Sequence, residues 1–161
     1  MRTGIGYDLH KFEAHAELSL RLGGIDIHEA RRLLGHSDGD ALIHAVIDAI
    51  LGAAGAGDIG SHFPSDDPTI EGIDSRELLR RVQRLVVADG FSIVNIDATV
   101  IAETPRLGDY LSLMCESLAT ALGIQKNQVN VKATTNEQVG SLGSGDAIAV
   151  MAVASLMETG E

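Results

Sequence analysis

The sequence predicts a mixed α/β (α+β) fold, a sheet with helices packed on one face, in one domain spanning residues 1–161. Three observations predict it. Segments that alternate apolar and polar residues are interleaved with segments of helical period, the order that builds a layer of sheet and a layer of helix. Apolar residues make up 45% of the 161, enough for a single packed core. Aromatics are only 3% and Trp is absent, so Val, Ile, Leu and Ala must fill that core.

Each element has its own signal. Residues 3–7 read as a first strand that ends in Asp8 and His10. Residues 18–22 and 25–27 flank Gly23-Gly24, a hairpin with a glycine turn. A helix opens with Ser37 or Asp38 as N-cap, buries Leu42, Val46, Ile47, Ile50 and Leu51 as a stripe, and ends among the glycines of 52–60. A second helix begins at Asp74, three residues before Glu77 in a capping-box pattern, and stops at Gly90. Residues 91–102 form a strand with Val94, Ile96, Ala98 and Val100 on one face. A third helix covers about 109–122 and closes at Gly123; "VNVKATT" alternates as a strand, and a polar glycine-rich loop follows from 136 to 145. "AIAVMAVASLM" fits a buried strand or a buried helix, and the preceding "GSGD" turn favours the strand.

The formal charge of -11, from 23 acids and 12 bases, argues against a nucleic-acid surface. It also constrains phosphate chemistry: a polyanion would need metal ions, backbone N–H groups or helix N-termini to hold it here. Cys115 is the lone cysteine, so neither an internal disulfide nor a cysteine zinc cluster can form. No secretory leader is evident, and the longest apolar run, 147–157, falls short of the ~20 residues that cross a bilayer. A soluble protein of a reducing compartment with no membrane partner is expected, the bacterial cytoplasm or, behind a removed transit peptide, the plastid stroma.

Candidate chemistry starts at Asp8 and His10, two apart on a strand and therefore on one face. Asp40, His44 and Asp48 share a helix face at i, i+4 and i+8, either as a metal-ligating His with acidic support or as an ordinary polar face. Asp8, His10 and His44 together would make a three-ligand set with an open fourth position, the arrangement of a catalytic zinc. His36-Ser37, just before the helix, offers a phosphate site or a simple cap. Thr134, Thr135 and Glu137 offer two hydroxyls and a carboxylate suited to phosphate and a hard cation, or plain strand-end composition. His15, His28 and His62 read as surface residues.

Four blocks, "GIGYDLHKF", "LLGHSDGDALIHAVIDAILGAAGAGDIGSHFPSDDP", "DSRELL" and "VNVKATTNE", run nearly the length of the chain. They resemble the 2-C-methyl-D-erythritol 2,4-cyclodiphosphate synthase family of the non-mevalonate isoprenoid pathway. The resemblance implies a homotrimer with active sites at subunit interfaces. It implies one zinc per subunit on Asp8, His10 and His44, and Mg²⁺ or Mn²⁺ held through Glu137 with the substrate phosphates. His36 and Thr135 match the positions that stabilise the transition state. The cytidine diphosphate substrate would meet Asp8, His10, His36, Ser37, Asp58, Ile59, Gly60, Phe63 and Asp67 on one side. On the other it would meet Ala102 and Arg106 around the cytosine, the side supplied by the neighbouring subunit, with Thr134, Thr135 and Glu137 near the diphosphate. Asp48 is expected to orient His44 or His10. The activity implied is cyclisation of 4-diphosphocytidyl-2-C-methyl-D-erythritol 2-phosphate with release of CMP; the alternatives are a zinc-dependent phosphoester hydrolase and a non-catalytic nucleotide-binding protein.

The sequence departs from the family at two places. Ser141 and Ser144 stand where relatives carry a Phe and an Arg that line a cavity on the trimer axis, and Ser65 replaces an acid of the "FPDTDP" segment. Without the guanidinium, tight binding of a prenyl diphosphate on that axis is not expected.

Overall fold

The computed structural model describes residues 1–14 and 18–160. Along the chain come β1 (Arg2–Lys11), a hairpin of β2 (Leu18–Leu22) and β3 (Ile25–Arg31), α1 (Ala41–Ala54), the short α2 (Ile59–His62), α3 (Ser75–Ala88), β4 (Phe91–Ile101), α4 (Leu111–Leu122), β5 (Val129–Thr134), the short α5 (Gly140–Gly143) and β6 (Ala147–Glu158). Four strands form one sheet in the order β1-β6-β4-β5. β6 is antiparallel to both neighbours, whereas β4 and β5 run parallel and are connected through α4. In the separate hairpin, Gly23 and Gly24 both adopt positive φ (63° and 75°), the backbone that a two-residue turn requires.

The helices cover one face of the sheet. Ile148, Val150, Ala152, Ala154 and Leu156 of β6, with Ile96, Ala98 and Val100 of β4, point into a core shared with α1, α3 and α4. The opposite face leaves Ile5, Tyr7, Leu9, Met151 and Val153 exposed. No helix among the described residues is long and apolar enough to cross a membrane.

The predicted elements are present, the last one as the strand β6, and the differences have physical causes. β1 continues through Asp8 and His10 to Lys11, because β6 pairs with it from Arg2↔Leu156 to Lys11↔Ala147. α1 is capped by Asp40 and not by Ser37 or Asp38. The fully buried Asp40 carboxylate accepts from Ile43 N at 3.0 Å and from the hairpin turn, Gly23 N at 2.8 Å and Gly24 N at 2.6 Å. Burial, with the Asp38 charge beside it, pushes its carboxyl up, and those three N–H groups work the other way. α1 is apolar nearly all round, not along one stripe, because it lies between the sheet and α3. The capping box on α3 does not form: Asp74 caps Arg76 N, but Glu77 turns outward to Arg80, Arg81 and Arg84. α4 begins at Leu111, after a 3-10 turn at Gly108–Tyr110. A register shift between Ile93 and Asn95 turns Val94 outward and brings Phe91 and Ile93 into the core.

Candidate active site

The site originates in the row Gly4, Gly6, Asp8, His10 along one face of β1. A Cβ at Gly6 would fall 1.9 Å from the carbonyl oxygen of Ala45, and one at Gly4 2.2 Å from that of Ala49. Only glycine lets the α1 backbone lie so close to the strand. His44, in the first turn of α1, is thereby set against the next two residues of the row. Asp8 Oδ2 and His10 Nε2 are 2.8 Å apart, and His44 Nδ1 lies 3.2 Å from the first and 3.3 Å from the second. One oxygen and two imidazole nitrogens thus converge from half-buried side chains, a donor set that fits a divalent metal ion and leaves a coordination position open. The strand and the helix meet as the three-ligand reading requires.

The electrostatics agree. Burial acts to raise the Asp8 carboxyl, but the two imidazoles set against it, His10 and His44, hold it well below the usual carboxylate range. Burial likewise acts to lower His10, yet the Asp8 carboxylate and the Leu34 carbonyl raise it above an ordinary imidazole. Both directions describe a place that favours positive charge at its centre.

Each imidazole is also fixed from behind. His10 Nδ1 donates to the Leu34 carbonyl, and His44 Nε2 lies 3.0 Å from the hydroxyls of both Ser37 and Ser75. Asp48 does not take the expected part: its carboxylate accepts the N–H of Ile59 at 2.7 Å, tying α2 to α1, and burial pushes its carboxyl up. His36 and Ser37 precede the helix start by several residues, so they lie in a loop and not at a free helix N-terminus.

Beside the triad is a cavity of about 570 Å³ lined by His10, His36, Ser37, His44, Ile59, Gly60 and Phe63. A smaller one of about 380 Å³ brings His36 together with Ser65 and Asp67, and Asp58 caps α2 through Ser61 N at 2.8 Å. Ala102, Arg106, Thr134 and Thr135 line a different cavity, about 470 Å³, at the ends of the parallel strands β4 and β5. It shares no lining residue with the cavity at the triad. Near it, Thr135 Oγ1 donates to Glu137 Oε1 at 3.3 Å, and Glu103 accepts the N–H groups of Asn136 at 2.9 Å and Gln138 at 3.1 Å. One chain therefore carries the expected residues in two separate places, one around the triad and one around the Thr135–Glu137 loop. His28 is exposed; His62 is half-buried and donates to the Ala56 carbonyl at 2.7 Å, so it braces a turn; His15 lies outside the described residues.

Sequence reasoning missed Ser75, Asp38 in its contact with Ser75, and Glu103. The "DSRELL" segment was legible as a helix start, and a hydroxyl at its first helical position was the available hint of a second use.

Comparison with known proteins agrees with this geometry. Residues 1–157 match the YgbB family. The chain is 50% identical over 161 residues to 2-C-methyl-D-erythritol 2,4-cyclodiphosphate synthase of Geotalea daltonii, across 100% of this chain and 93% of that protein. Among solved structures, the bifunctional IspDF of Campylobacter jejuni gives a TM-score of 0.92 at 40% identity, covering 98% of this chain and 42% of that one. The CDP complex of Plasmodium falciparum IspF gives 0.85 at 35% identity, covering 99% and 97%. The chain spans less than half of the bifunctional protein and nearly all of the other two. A full-length match, a carboxylate–imidazole triad and a cavity beside it converge on one assignment: the chain belongs to the YgbB family, the family of the 2-C-methyl-D-erythritol 2,4-cyclodiphosphate synthases.

Proposed function

We propose that this chain converts 4-diphosphocytidyl-2-C-methyl-D-erythritol 2-phosphate to 2-C-methyl-D-erythritol 2,4-cyclodiphosphate and CMP. An oxygen of the 2-phosphate attacks the β-phosphorus, a P–O bond closes the ring, and the bond from the β-phosphorus to the CMP oxygen breaks. The nucleophile is already anionic, so no general base is required. The demands are in-line positioning and neutralisation of crowded charge. The observation that carries this reading is the convergence of Asp8, His10 and His44 beside a cavity lined by His36, Ser37, Ile59, Gly60 and Phe63.

Zinc on the triad and Mg²⁺ or Mn²⁺ on Glu137 would supply the positive charge that an acidic protein otherwise lacks for a polyanionic substrate. His36 and Ser37 orient the attacking phosphate, with Ile59, Gly60 and Phe63 against the erythritol side and Asp58 and Asp67 flanking it. Ala102 and Arg106 enclose the cytosine, and Thr134, Thr135 and Glu137 hold the diphosphate. Thr135 and His36 are the pair assigned to the transition state. A CDP complex of the related Plasmodium falciparum IspF supports a cytidine pocket on this fold.

The separation of the two half-sites supports a homotrimer in which one subunit's triad faces the next subunit's cytidine cavity. So does the exposed apolar sheet face of Ile5, Tyr7, Leu9, Met151 and Val153, which a second copy would cover. Its solution mass should be three times the 16.9 kDa of the chain. The bacterial relatives support a cytoplasmic setting.

The decisive assay is CMP release from the diphosphocytidyl substrate. CMP with the cyclic product, abolished by a chelator and restored by zinc, is expected; inorganic phosphate instead would favour a hydrolase, and binding without turnover a non-catalytic module. Ser144 Oγ donates to Asp146 at 2.5 Å, and a serine at the position expected to line the trimer axis offers no guanidinium fork to a diphosphate. Prenyl diphosphates should therefore bind weakly; a geranyl diphosphate Kd in the micromolar range or tighter would refute that part.

A further inference from the structure

Behind His44, on the side away from Asp8 and His10, lies a polar chain that the reaction does not use. Ser75 is the first residue of α3 and is completely buried (0% exposed). Its hydroxyl is 3.0 Å from His44 Nε2 and donates to Asp38 Oδ1 at 2.5 Å. Its backbone N–H donates to the other oxygen of the same carboxylate at 2.9 Å. Behind Asp38 stands Arg21, whose Nε is 3.7 Å from Asp38 Oδ2 and whose remaining nitrogens bind Asp26 at 2.8 Å and Asp74 at 3.0 Å.

We propose that Asp38 and Ser75 are positioning residues that hold His44 in the tautomer with its proton on Nε2, so that Nδ1 presents a lone pair toward Asp8 and His10. This rests on reading the triad as a metal centre, because a bare Nδ1 is what a metal requires of that ring.

The argument is a count of hydrogens. A serine hydroxyl has one to give, and a carboxylate only accepts. Asp38 accepts both the N–H and the O–H of Ser75, and the Asp40 N–H at 3.3 Å as well. With its hydrogen committed to Asp38, Ser75 Oγ can offer His44 only a lone pair. Nε2 is then the donor, because as an acceptor its lone pair would face that of Ser75 Oγ at 3.0 Å; a neutral imidazole has one N–H, so Nδ1 is bare, and the pull that this arrangement overcomes is that of Asp8 Oδ2, 3.2 Å from Nδ1. Ser37 Oγ, also at 3.0 Å, accepts the same N–H, and its own hydrogen can go to Ser75 Oγ at 3.4 Å, which has no hydrogen left to give. Asp48 does not play this part, because the groups that face His44 Nε2 are the hydroxyls of Ser37 and Ser75. Ligating histidines are oriented in this general way by an acceptor for the second nitrogen, and loss of that acceptor weakens metal binding by ~10–100-fold.

A purely structural role would be different. Asp38 also ties the start of α3 to the 36–39 loop, and loss of that tie would lower stability without changing the ring's tautomer. Two measurements on the full-length chain separate the roles: ¹⁵N NMR of metal-free, histidine-labelled protein at about pH 9, where imidazoles are neutral, and zinc affinity by competition with a chelator. Wild-type His44 should show its proton on Nε2. Ser75→Ala and Asp38→Asn should each bind zinc ~10–100-fold more weakly, and the double variant no more weakly than the worse single one. Asp38→Asn should also raise the Nδ1–H population, because the new NH₂ can donate to Ser75 and free the hydroxyl hydrogen for His44. A wild-type ring protonated on Nδ1 would overturn the proposal even if neither variant folds. Zinc affinities within about threefold of wild type, far below the span expected for a lost acceptor, would overturn it too. If the wild type takes up no zinc at all, the metal-centre reading falls, and the tautomer still decides the relay.

Discussion

The two halves of the proposed site, the triad and the Thr135–Glu137 loop, are built on opposite principles. The triad half is set by backbone packing: two glycines let α1 rest on β1, and every ligand nitrogen has a partner behind it. The Thr135–Glu137 half is an exposed loop tied to the strand end by Glu103, which accepts two backbone N–H groups, and braced within itself by Asn136 Nδ2, which donates to the Val139 carbonyl at 2.7 Å. Within that loop Glu137 (φ 50°) and Gln138 (φ 61°) occupy the left-handed region, at ~1 kcal/mol or more each for residues with a Cβ. The contrast teaches where rigidity is spent. A metal site needs ligand atoms fixed before the ion arrives, whereas a loop that contacts a diphosphate needs its geometry only once substrate is present.

The most damaging way to break the triad half is from its packing. Gly6→Ala places a methyl 1.9 Å from the Ala45 carbonyl oxygen and 2.7 Å from Ala49 N, backbone atoms that no side-chain rotation can clear. α1 must move away from β1. The expected loss is ~3 kcal/mol or more of stability, at or beyond the upper end for overpacking. A displacement of His44 by ~1 Å would cut turnover ~100-fold. Urea unfolding and CMP release measure the two. Gly52→Ala is the control on the same helix: its new methyl would meet nothing nearer than 3.8 Å, and alanine should stabilise α1 by ~1 kcal/mol. Equal effects of the two substitutions would remove close packing as the basis of the site.

A milder break belongs to the loop half. Glu103→Ala takes away the acceptor for Asn136 N and Gln138 N, and the left-handed pair loses its support. KM for the diphosphocytidyl substrate should rise ~10-fold, the worth of one hydrogen bond to a charged group, with zinc affinity at the triad unchanged. A fall in zinc affinity would show the two halves to be coupled within one chain, against the contrast drawn above.

The same contrast decides what the sequence could reveal. Asp8, His10 and His44 were legible because period two on a strand and the first turn of a helix are local rules, and the resemblance supplied their meeting. The meeting itself depends on Gly4 and Gly6, whose role appears only when α1 is laid across them. Asp40 was misread as part of a polar face with His44 and Asp48. Its three N–H partners come from α1 and from a hairpin turn 16 and 17 residues away, a separation that no pattern along the helix encodes. Asp48 was read as a partner of histidine because both lie on α1, yet the Ile59 N–H competes for it from the next loop. Ser75 and Glu103 were missed for the same reason, since their partners lie more than thirty residues away. Local periodicity gives elements and candidate ligands; the hydrogen-bond partners that orient those ligands are long-range.

The smallest expected effect concerns the outer edge of the triad half, where α3 begins. The Asp74 carboxyl is pushed down to about 2, chiefly by its hydrogen bond from the Arg76 side chain, with burial opposing and the charges of Arg21 and Arg76 adding to the drop. A carboxyl depressed in the folded state contributes stability that is complete above its unfolded value, about 3.9, and disappears as pH falls through about 2. Asp74 is 38% exposed, so screening by solvent cuts the contribution to ~1 kcal/mol at neutral pH. Asp74→Asn isolates this charge, because asparagine caps helices about as well as aspartate. The urea midpoint of the variant should lie below that of wild type near pH 7, and the two should converge between pH 4 and 2. Asp40, which burial pushes the opposite way, is present in both proteins and cancels in the difference. A gap that persists undiminished at pH 2 would mean that cap geometry, and not charge, anchors α3.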